Sequence, residues 1–116
     1  MGGGGGSGWN SDGTSCAGTT VAGSGGGIVY ITARNITLGP SGNINASGGN
    51  GGDNTGGDSP LSGSGAGGSI ILRALNLSLG ADRISAIGGS PSVSNMGTGK
   101  RGGVGRIRLD YVGLSG

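Results

Sequence analysis

The sequence contains no phenylalanine, histidine or glutamate, and it has only one cysteine, Cys16. These absences leave five aspartates as the carboxylates, too few to suggest a paired acid and base, so no catalytic residue is predicted. A single cysteine excludes an intrachain disulfide, and without histidine nothing obvious would activate Cys16 as a nucleophile. The composition therefore predicts a protein that is not an enzyme and needs no cofactor.

Long apolar runs and a strong charge imbalance are also missing. No run approaches the roughly 18 apolar residues of a membrane-spanning helix. Seven Lys and Arg residues against five Asp give a net charge of only +2, and few aromatic residues are present that would stack on bases. We therefore predict neither membrane insertion nor nucleic-acid binding, and we interpret the basic residues near the C-terminus as a solvated face.

Glycine is the abundant residue, with 34 of the 116 positions. So much glycine and so little apolar surface would by themselves suggest a disordered chain, because glycine loses much conformational freedom on folding. The glycines are not evenly spread, however, and they alternate with compact apolar runs. This alternation indicates an ordered repeat.

The repeat is visible in residues 27–39, which return as residues 68–80 with matching Ala, Asn and Leu positions. A third, shorter copy begins at Gly105. Within each copy apolar residues alternate with other residues, as in half-buried strands. The predicted inward residues are Val29, Ile31 and Ala33, then Ile70, Leu72 and Ala74, then Ile107, Leu109 and Tyr111.

The fold class expected from this pattern is all-β: a glycine-rich parallel β-solenoid of about two and a half coils, each with three short strands. We expect one domain, 1–116. Its parts are a glycine-rich stretch at 2–27, coil 1 with its loop at 28–67, coil 2 with its loop at 68–104, and the start of coil 3 at 105–116. The glycine-rich loops are either disordered or stacked as polyproline-II-like strands.

The repeats resemble those of a known group of proteins. Gly-Gly-Gly before an apolar strand, Ala33-Arg-Asn-Ile-Thr-Leu-Gly39, Gly42-Asn-Ile-Asn-Ala-Ser-Gly48 and Gly102-Gly-Val-Gly-Arg-Ile-Arg-Leu109 look like the glycine-rich repeats of large bacterial and phage surface proteins. These are adhesin-like filaments and tail-fibre modules, and the resemblance covers residues 25–112. It implies an extracellular, cell-surface or virion-surface location. The stretch Gly2–Asn10 also resembles glycine-rich domains with polyproline-II bundles.

Several residues are candidates for structural roles. Asn35 and Asn76 hold the same repeat position, so we expect their side chains to stack as a ladder at a corner between strands. Arg73 and Arg108 are expected on the outer strand face, one coil apart and without an acidic partner. The candidate assembly edge is the strand Arg106, Ile107, Arg108, Leu109, Asp110 and Tyr111.

Two ligand hypotheses are weaker. Residues 48–55 superficially resemble a calcium-binding repeat, in which Asp53 and Asp58 would supply oxygen ligands, but the motif does not recur in tandem and no metal site is predicted. Trp9 is the one candidate for contact with a surface glycan or receptor, although it is equally able to pack over the first coil. Ice binding is disfavoured, because Thr32 and Thr37 have no threonine counterparts in the second copy.

The leading functional hypothesis is a structural module or protomer of an extracellular fibre, assembled through β-strand stacking as a homo-oligomer or as part of a longer chain. The alternative is a receptor-binding or glycan-binding adhesin or tail-fibre module that uses its glycine-rich loops.

Overall fold

The computed structural model describes residues 2–6, 21–52, 61–94 and 97–116. Within these ranges the chain forms strands and no helix, so none of the described residues belongs to a helix that would span a membrane. The strands are β1 (Ile28–Thr37), β2 (Ile44–Asn45), β3 (Ser69–Ser78), β4 (Ile84–Ser85), β5 (Val93–Ser94), β6 (Gly97–Thr98) and β7 (Arg106–Ser115).

The strands form open sheets. β1, β3 and β7 make a parallel three-stranded sheet with β3 at its centre, β2 pairs with β4 in parallel, and β5 pairs with β6 in the antiparallel sense. This agrees with the expected all-β class with parallel pairing. The division into strands differs from the prediction, because the expected first and second strands of each repeat are one continuous strand of ten residues.

A change of phase inside the long strands explains that difference. The pairing of β1 with β3 passes from Ala33 opposite Ala74 to Asn35 opposite Asn76 and omits the pair between them. The pairing of β3 with β7 omits the corresponding pair of Leu75 with Val112. Before this point the buried residues of β3 are Ile70 and Leu72, and after it the buried residue is Leu77. The sequence pattern therefore breaks where the backbone strand continues.

The apolar core is centred on β3. Ile70, Leu72 and Leu77 are at most 1% exposed, because the strands on both sides cover them. Residues at the same register on β7 are far more exposed, with Ile107 at 47% and Leu114 at 52%. The core is completed by Ile36, Ala46 and Ala86, with partly buried neighbours on the other strands.

Six glycine-bearing segments, here called arm segments, lead away from and back to these strands. They are residues 2–6, 21–27, 46–52, 61–68, 86–92 and 99–105. Backbone hydrogen bonds join them at intervals of three residues: Gly23 and Gly26 donate to the carbonyls of Gly63 and Ala66, and Gly49 and Gly52 donate to those of Ser24 and Val21. The glycine-rich parts that are described are thus ordered by their own backbone groups.

Arm segment 61–68 is the centre of this arrangement, since it hydrogen-bonds to each of the other five. Within it, Gly63 donates to Gly6 and accepts from Gly23, while Gly65 donates to Gly49 and accepts from Gly89. The N–H of Ser64 donates to Lys100.

Glycine is required where these backbones meet. A Cβ on Gly65 would overlap the carbonyl oxygen of Ser24, and a Cβ on Gly102 would overlap the carbonyl oxygen of Gly65. Neither residue has a positive φ, so the requirement is for space and not for an unusual backbone conformation. Gly103 differs, because a Cβ there would meet nothing within 4 Å.

Three buried serines, Ser62, Ser64 and Ser92, hydrogen-bond to backbone groups of the arm segments. Ser92 Oγ accepts from the N–H of Ser62 and donates to its carbonyl oxygen, and Ser62 Oγ donates to Gly52. Ser64 Oγ donates to the carbonyl of Lys100 and accepts from the N–H of Gly102. Among the described residues no buried side-chain nitrogen or oxygen lacks a hydrogen-bond partner, as expected where water is excluded.

The position of the core predicts that replacing either of two isoleucines at the same register of the sheet by alanine lowers the free energy of unfolding by very different amounts. Ile70→Ala removes a side chain that is 0% exposed and should lower the free energy of unfolding by about 2–5 kcal/mol. Ile107→Ala, at the same register but 47% exposed, should cost less than half as much. Chemical denaturation of both variants at low protein concentration tests this, and equal losses would place the core elsewhere.

A second prediction compares two glycines in the arm segments. Gly65→Ala should lower the free energy of unfolding by about 1–3 kcal/mol or more, because the backbone of residue 24 must move to admit the methyl group. Gly103→Ala should leave stability unchanged or raise it by up to about 1 kcal/mol, since it only restricts the unfolded chain. Thermal melts followed by circular dichroism measure both effects. Equal melting temperatures would show that the arms are not packed as described.

Candidate assembly surface

The edge strand β7 is the main candidate surface, and it includes the edge proposed from the sequence, Arg106 to Tyr111. One side of β7 pairs with β3, and no strand of the described residues pairs with the other side. The strand exposes several large apolar side chains: Ile107 47%, Tyr111 46%, Val112 82% and Leu114 52%. An edge that combines unpaired backbone groups with apolar side chains is suited to pairing with another strand.

The opposite edge of the sheet, β1, is also unpaired on its outer side in the described part of the chain. It exposes Ile28 (59%) and Tyr30 (58%), but Ile36 is only 8% exposed. The exposed apolar residues of β7 extend along the strand, whereas those of β1 lie near its start. The two edges therefore present different surfaces.

Opposite charges meet on the outer face of the sheet beside β7. Asp110 Oδ1 accepts a hydrogen bond from Arg108 Nε at 2.9 Å, and Asp110 Oδ2 lies 3.4 Å from Arg73 Nε. The expectation that these arginines lack an acidic partner is therefore wrong. The register explains why, because Arg73 lies opposite Asp110, and Arg108 lies opposite Ile71. The offset between repeats would have revealed this pair in the sequence.

These charged side chains are partly or largely exposed. They make this face of the sheet polar but contribute little to the stability of the fold. The side chains of Arg73 and Arg108 are 57% and 71% exposed, and that of Asp110 is 32% exposed. Exposed ion pairs typically contribute about 0–1 kcal/mol. The hydrogen bond and charge of Asp110 raise the pKa of Arg108.

Tyr30 extends this polar row across β1. A hydrogen bond from the Thr32 side chain, followed by one from Arg73, lowers the pKa of the Tyr30 phenol. The row therefore crosses all three strands, from Tyr30 and Thr32 through Arg73 to Asp110. Sequence reasoning placed these residues outward but did not connect them.

The two asparagines lie at the same register, and Asn76 Nδ2 donates to Asn35 Oδ1 at 2.9 Å. They are inside β1 and β3, directly after the interrupted pairing, and not at a corner between two strands as expected. The third position on this rung is Gly113, where a Cβ would lie 3.2 Å from Asn76 Oδ1. The ladder thus has two members in the described residues. A shallow open groove beside it is lined by amides and by the hydroxyls of Thr37, Ser78 and Ser115.

The arm segments are not alike at the two ends of the stack. Gly26 and Gly67 hold the same repeat position. A Cβ on Gly26 would overlap the backbone of Ala46 and Gly68, and a Cβ on Gly67 would overlap that of Ala86 and Gly105. The third residue in this series is Val104, which is 82% exposed. The preceding outward residue, Arg101, is also exposed. The β7 end therefore carries the Val104 side chain at a position where glycine admits a neighbouring backbone inside the stack.

Other candidates named from the sequence lie outside the described residues, namely Trp9, Cys16, Asp53 and Asp58. Within the described ranges no group of three or more His, Cys, Asp or Glu side chains is close enough to hold a metal ion. The described geometry accordingly offers an edge for strand pairing and a polar outer face.

Comparison with known proteins adds no identification: no family model, no curated protein and no solved structure matches this chain.

The polar row predicts a measurable shift in tyrosine ionisation. In a Tyr111→Phe background, so that Tyr30 is the only tyrosine, Thr32→Val and Arg73→Gln should each raise the pKa of Tyr30. Both changes remove hydrogen bonds that favour the phenolate. Absorbance at 295 nm across a pH titration measures this. Arg34→Gln is the control, and an equal shift in that variant would contradict a specific contact with Arg73.

Proposed function

We propose that this chain is a structural module of an extracellular fibre or filament, in which successive repeats form the coils of a parallel β-solenoid and copies associate through strand edges. The observation that carries the proposal is the repeated register. β1 pairs with β3 and β3 pairs with β7 in the same parallel sense, with the interruption at the same place. A unit that repeats along one axis and keeps open edges is the general plan of solenoid proteins.

The smaller parallel pair supports the same arrangement. β2 pairs with β4 at Ile44 opposite Ile84, so the first and second repeats each contribute one strand to both parallel sheets. The carbonyl and N–H groups continue the ladders beyond the strands, as when Leu38 donates to Ser78 and Leu79 donates to Ser115. Stacked coils would give this succession of parallel ladders.

The arm segments fit polyproline-II-like strands within this proposal. A polyproline-II helix has three residues per turn and no internal hydrogen bonds, so its backbone groups are free to bond to neighbours every third residue. The interval of three between the donors Gly23 and Gly26, and between Gly49 and Gly52, fits that geometry. Stiff arms of this kind would suit a stalk or spacer.

The polar chemistry of the described residues favours a structural role over a catalytic one. On the outer face Asp110 is engaged with both Arg73 and Arg108. The hydroxyls buried among the arms are engaged with backbone atoms. An extracellular or virion-surface location is part of the proposal and rests on the resemblance of residues 25–112 to surface-protein repeats.

Electron microscopy of the purified chain at rising concentration, with mass measured in parallel, tests the proposal. We expect filaments whose fibre diffraction includes a spacing of about 4.7–4.8 Å from strands stacked along the axis. A monodisperse monomer at every concentration would contradict self-assembly.

A matched pair of variants locates the contact. Ile107→Lys places a charge on the β7 edge and should abolish filaments, since charged edges resist strand pairing. Ile87→Lys makes the same change in an arm segment, at an isoleucine that is 61% exposed, and should leave filaments intact. Filaments that tolerate both changes would show that the β7 edge is not used.

A further inference from the structure

The exposed edge of β7 is not open to every partner strand, because arm segment 99–105 beside it restricts which strand can pair with it. A defined contact between copies at this edge rests on the proposed function, and it can be tested without filaments.

A copy cannot continue the stack past β7 in the geometry used inside the chain. If β1 of a second copy paired with β7 in parallel, its arm segment 21–27 would lie on arm segment 99–105. Inside the chain that contact requires glycine, since a Cβ on Gly67 would lie only 2.6 Å from the backbone nitrogen of Gly105. Val104 holds the position of Gly67 and carries a branched side chain there. Its side chain would occupy the space needed by the second copy's arm.

An antiparallel partner avoids this clash. When β7 of a second copy pairs with β7 in the antiparallel sense, the two arm segments 99–105 leave the shared edge at opposite ends. Val104 then faces the far end of the partner strand and not the partner's arm. Such a contact is isologous, with the same surface used twice around a two-fold axis.

Among registers centred on residues 107–110, the charges select one. Keeping both cores on the same side of the joined sheet requires the axis to pass through a residue paired with its own copy. With the axis at Arg108 or Asp110, like charges lie directly opposite. With the axis at Leu109, Arg108 lies opposite the partner's Asp110, and Ile107 lies opposite the partner's Tyr111.

The straight part of the strand has the same centre. β7 begins at Arg106, and its pairing with β3 is interrupted at Val112. Leu109 is the midpoint of that stretch, so the Leu109 register pairs all of it. On the core side this register buries Ile107 and Tyr111, which are 47% and 46% exposed in the single chain.

We propose that two copies of this chain join through antiparallel pairing of β7 with β7, on a two-fold axis at Leu109. Each dimer has two Arg108–Asp110 pairs across the junction, in addition to the contacts of Asp110 with Arg73 and Arg108 in its own chain. Filaments built from these dimers have no polarity, and the β1 edges form their other junctions.

Disulfide trapping tests the register directly. Cys16→Ser provides a background without cysteine, and Leu109→Cys is added to it. Directly opposite residues of an antiparallel pair have Cβ atoms about 4.5–5.5 Å apart, close to the range that a disulfide spans. We expect a covalent dimer on mild oxidation, seen on non-reducing gels.

Val112→Cys in the same background is the control for nonspecific oxidation. It is more exposed than Leu109, but in this register it lies about 20 Å from its own copy, so it should remain unlinked. Equal trapping at 109 and 112, or trapping at 112 alone, would overturn the register.

A charge variant gives a second test without engineered cysteines. Arg108→Glu places two carboxylates opposite each other at both ends of the pairing and should weaken the dimer by about tenfold or more in sedimentation equilibrium. Arg34→Glu makes the same charge change on β1 and should leave the dimer unchanged. A monomeric wild-type chain, or equal effects of both variants, would refute the proposal.

The results also separate this inference from the proposed function. A dimer trapped at residue 109 without filaments would support the β7 contact and contradict the fibre. Filaments without trapping at 109 would support the fibre and contradict the contact.

Discussion

The backbone of residues 61–68 lies against five other arm segments, and this close contact constrains the rest of the structure. The hydrogen bonds at Gly63 and Gly65 form only if the neighbouring backbones approach so closely that a methyl group at Gly65 would overlap Ser24. Glycine is costly to order, so each such position must be offset by bonds that the approach permits. Buried Ser62 and Ser64 complete those bonds.

The arms and the apolar core depend on each other. The described core is small, with only Ile70, Leu72 and Leu77 almost wholly excluded from water. It is buried because β3 lies between β1 and β7, and the arms that connect these strands are held at matching spacing by their own ladders. Backbone hydrogen bonds between the glycine-rich arms and burial of apolar side chains in the core therefore stabilise the same stacking of repeats.

The ends of the stack follow from the same principle. Inside the stack, Gly26 and Gly67 leave space for the backbone of the next repeat, whereas Val104 occupies the same position at the β7 end. The sheet edge beside it remains unpaired in the described chain. Val104 leaves no space for the arm of a copy that pairs in parallel, whereas the strand edge stays open. This end therefore favours a partner strand that pairs in the antiparallel sense. This asymmetry between sheet and arms is the basis of the proposed pairing of β7 with its own copy.

The sequence by itself determined the strand content, the parallel offset of the repeats and which side of each strand is apolar. It did so because alternation over Val29 and Ile31 returns at Ile70 and Leu72, and burial on one face permits only one phase. It misplaced the strand division, since a phase change at Arg34 and Leu75 looks the same in sequence as a break between strands. Only the tertiary structure decided that Asp110 also bonds to Arg108 of its own strand, that buried serines bind backbone atoms, and which glycines are obligatory. Those properties depend on which atoms come within bonding distance, such as the 2.9 Å between the Ser62 nitrogen and Ser92 Oγ, and the repeat pattern gives equivalent positions but not such distances.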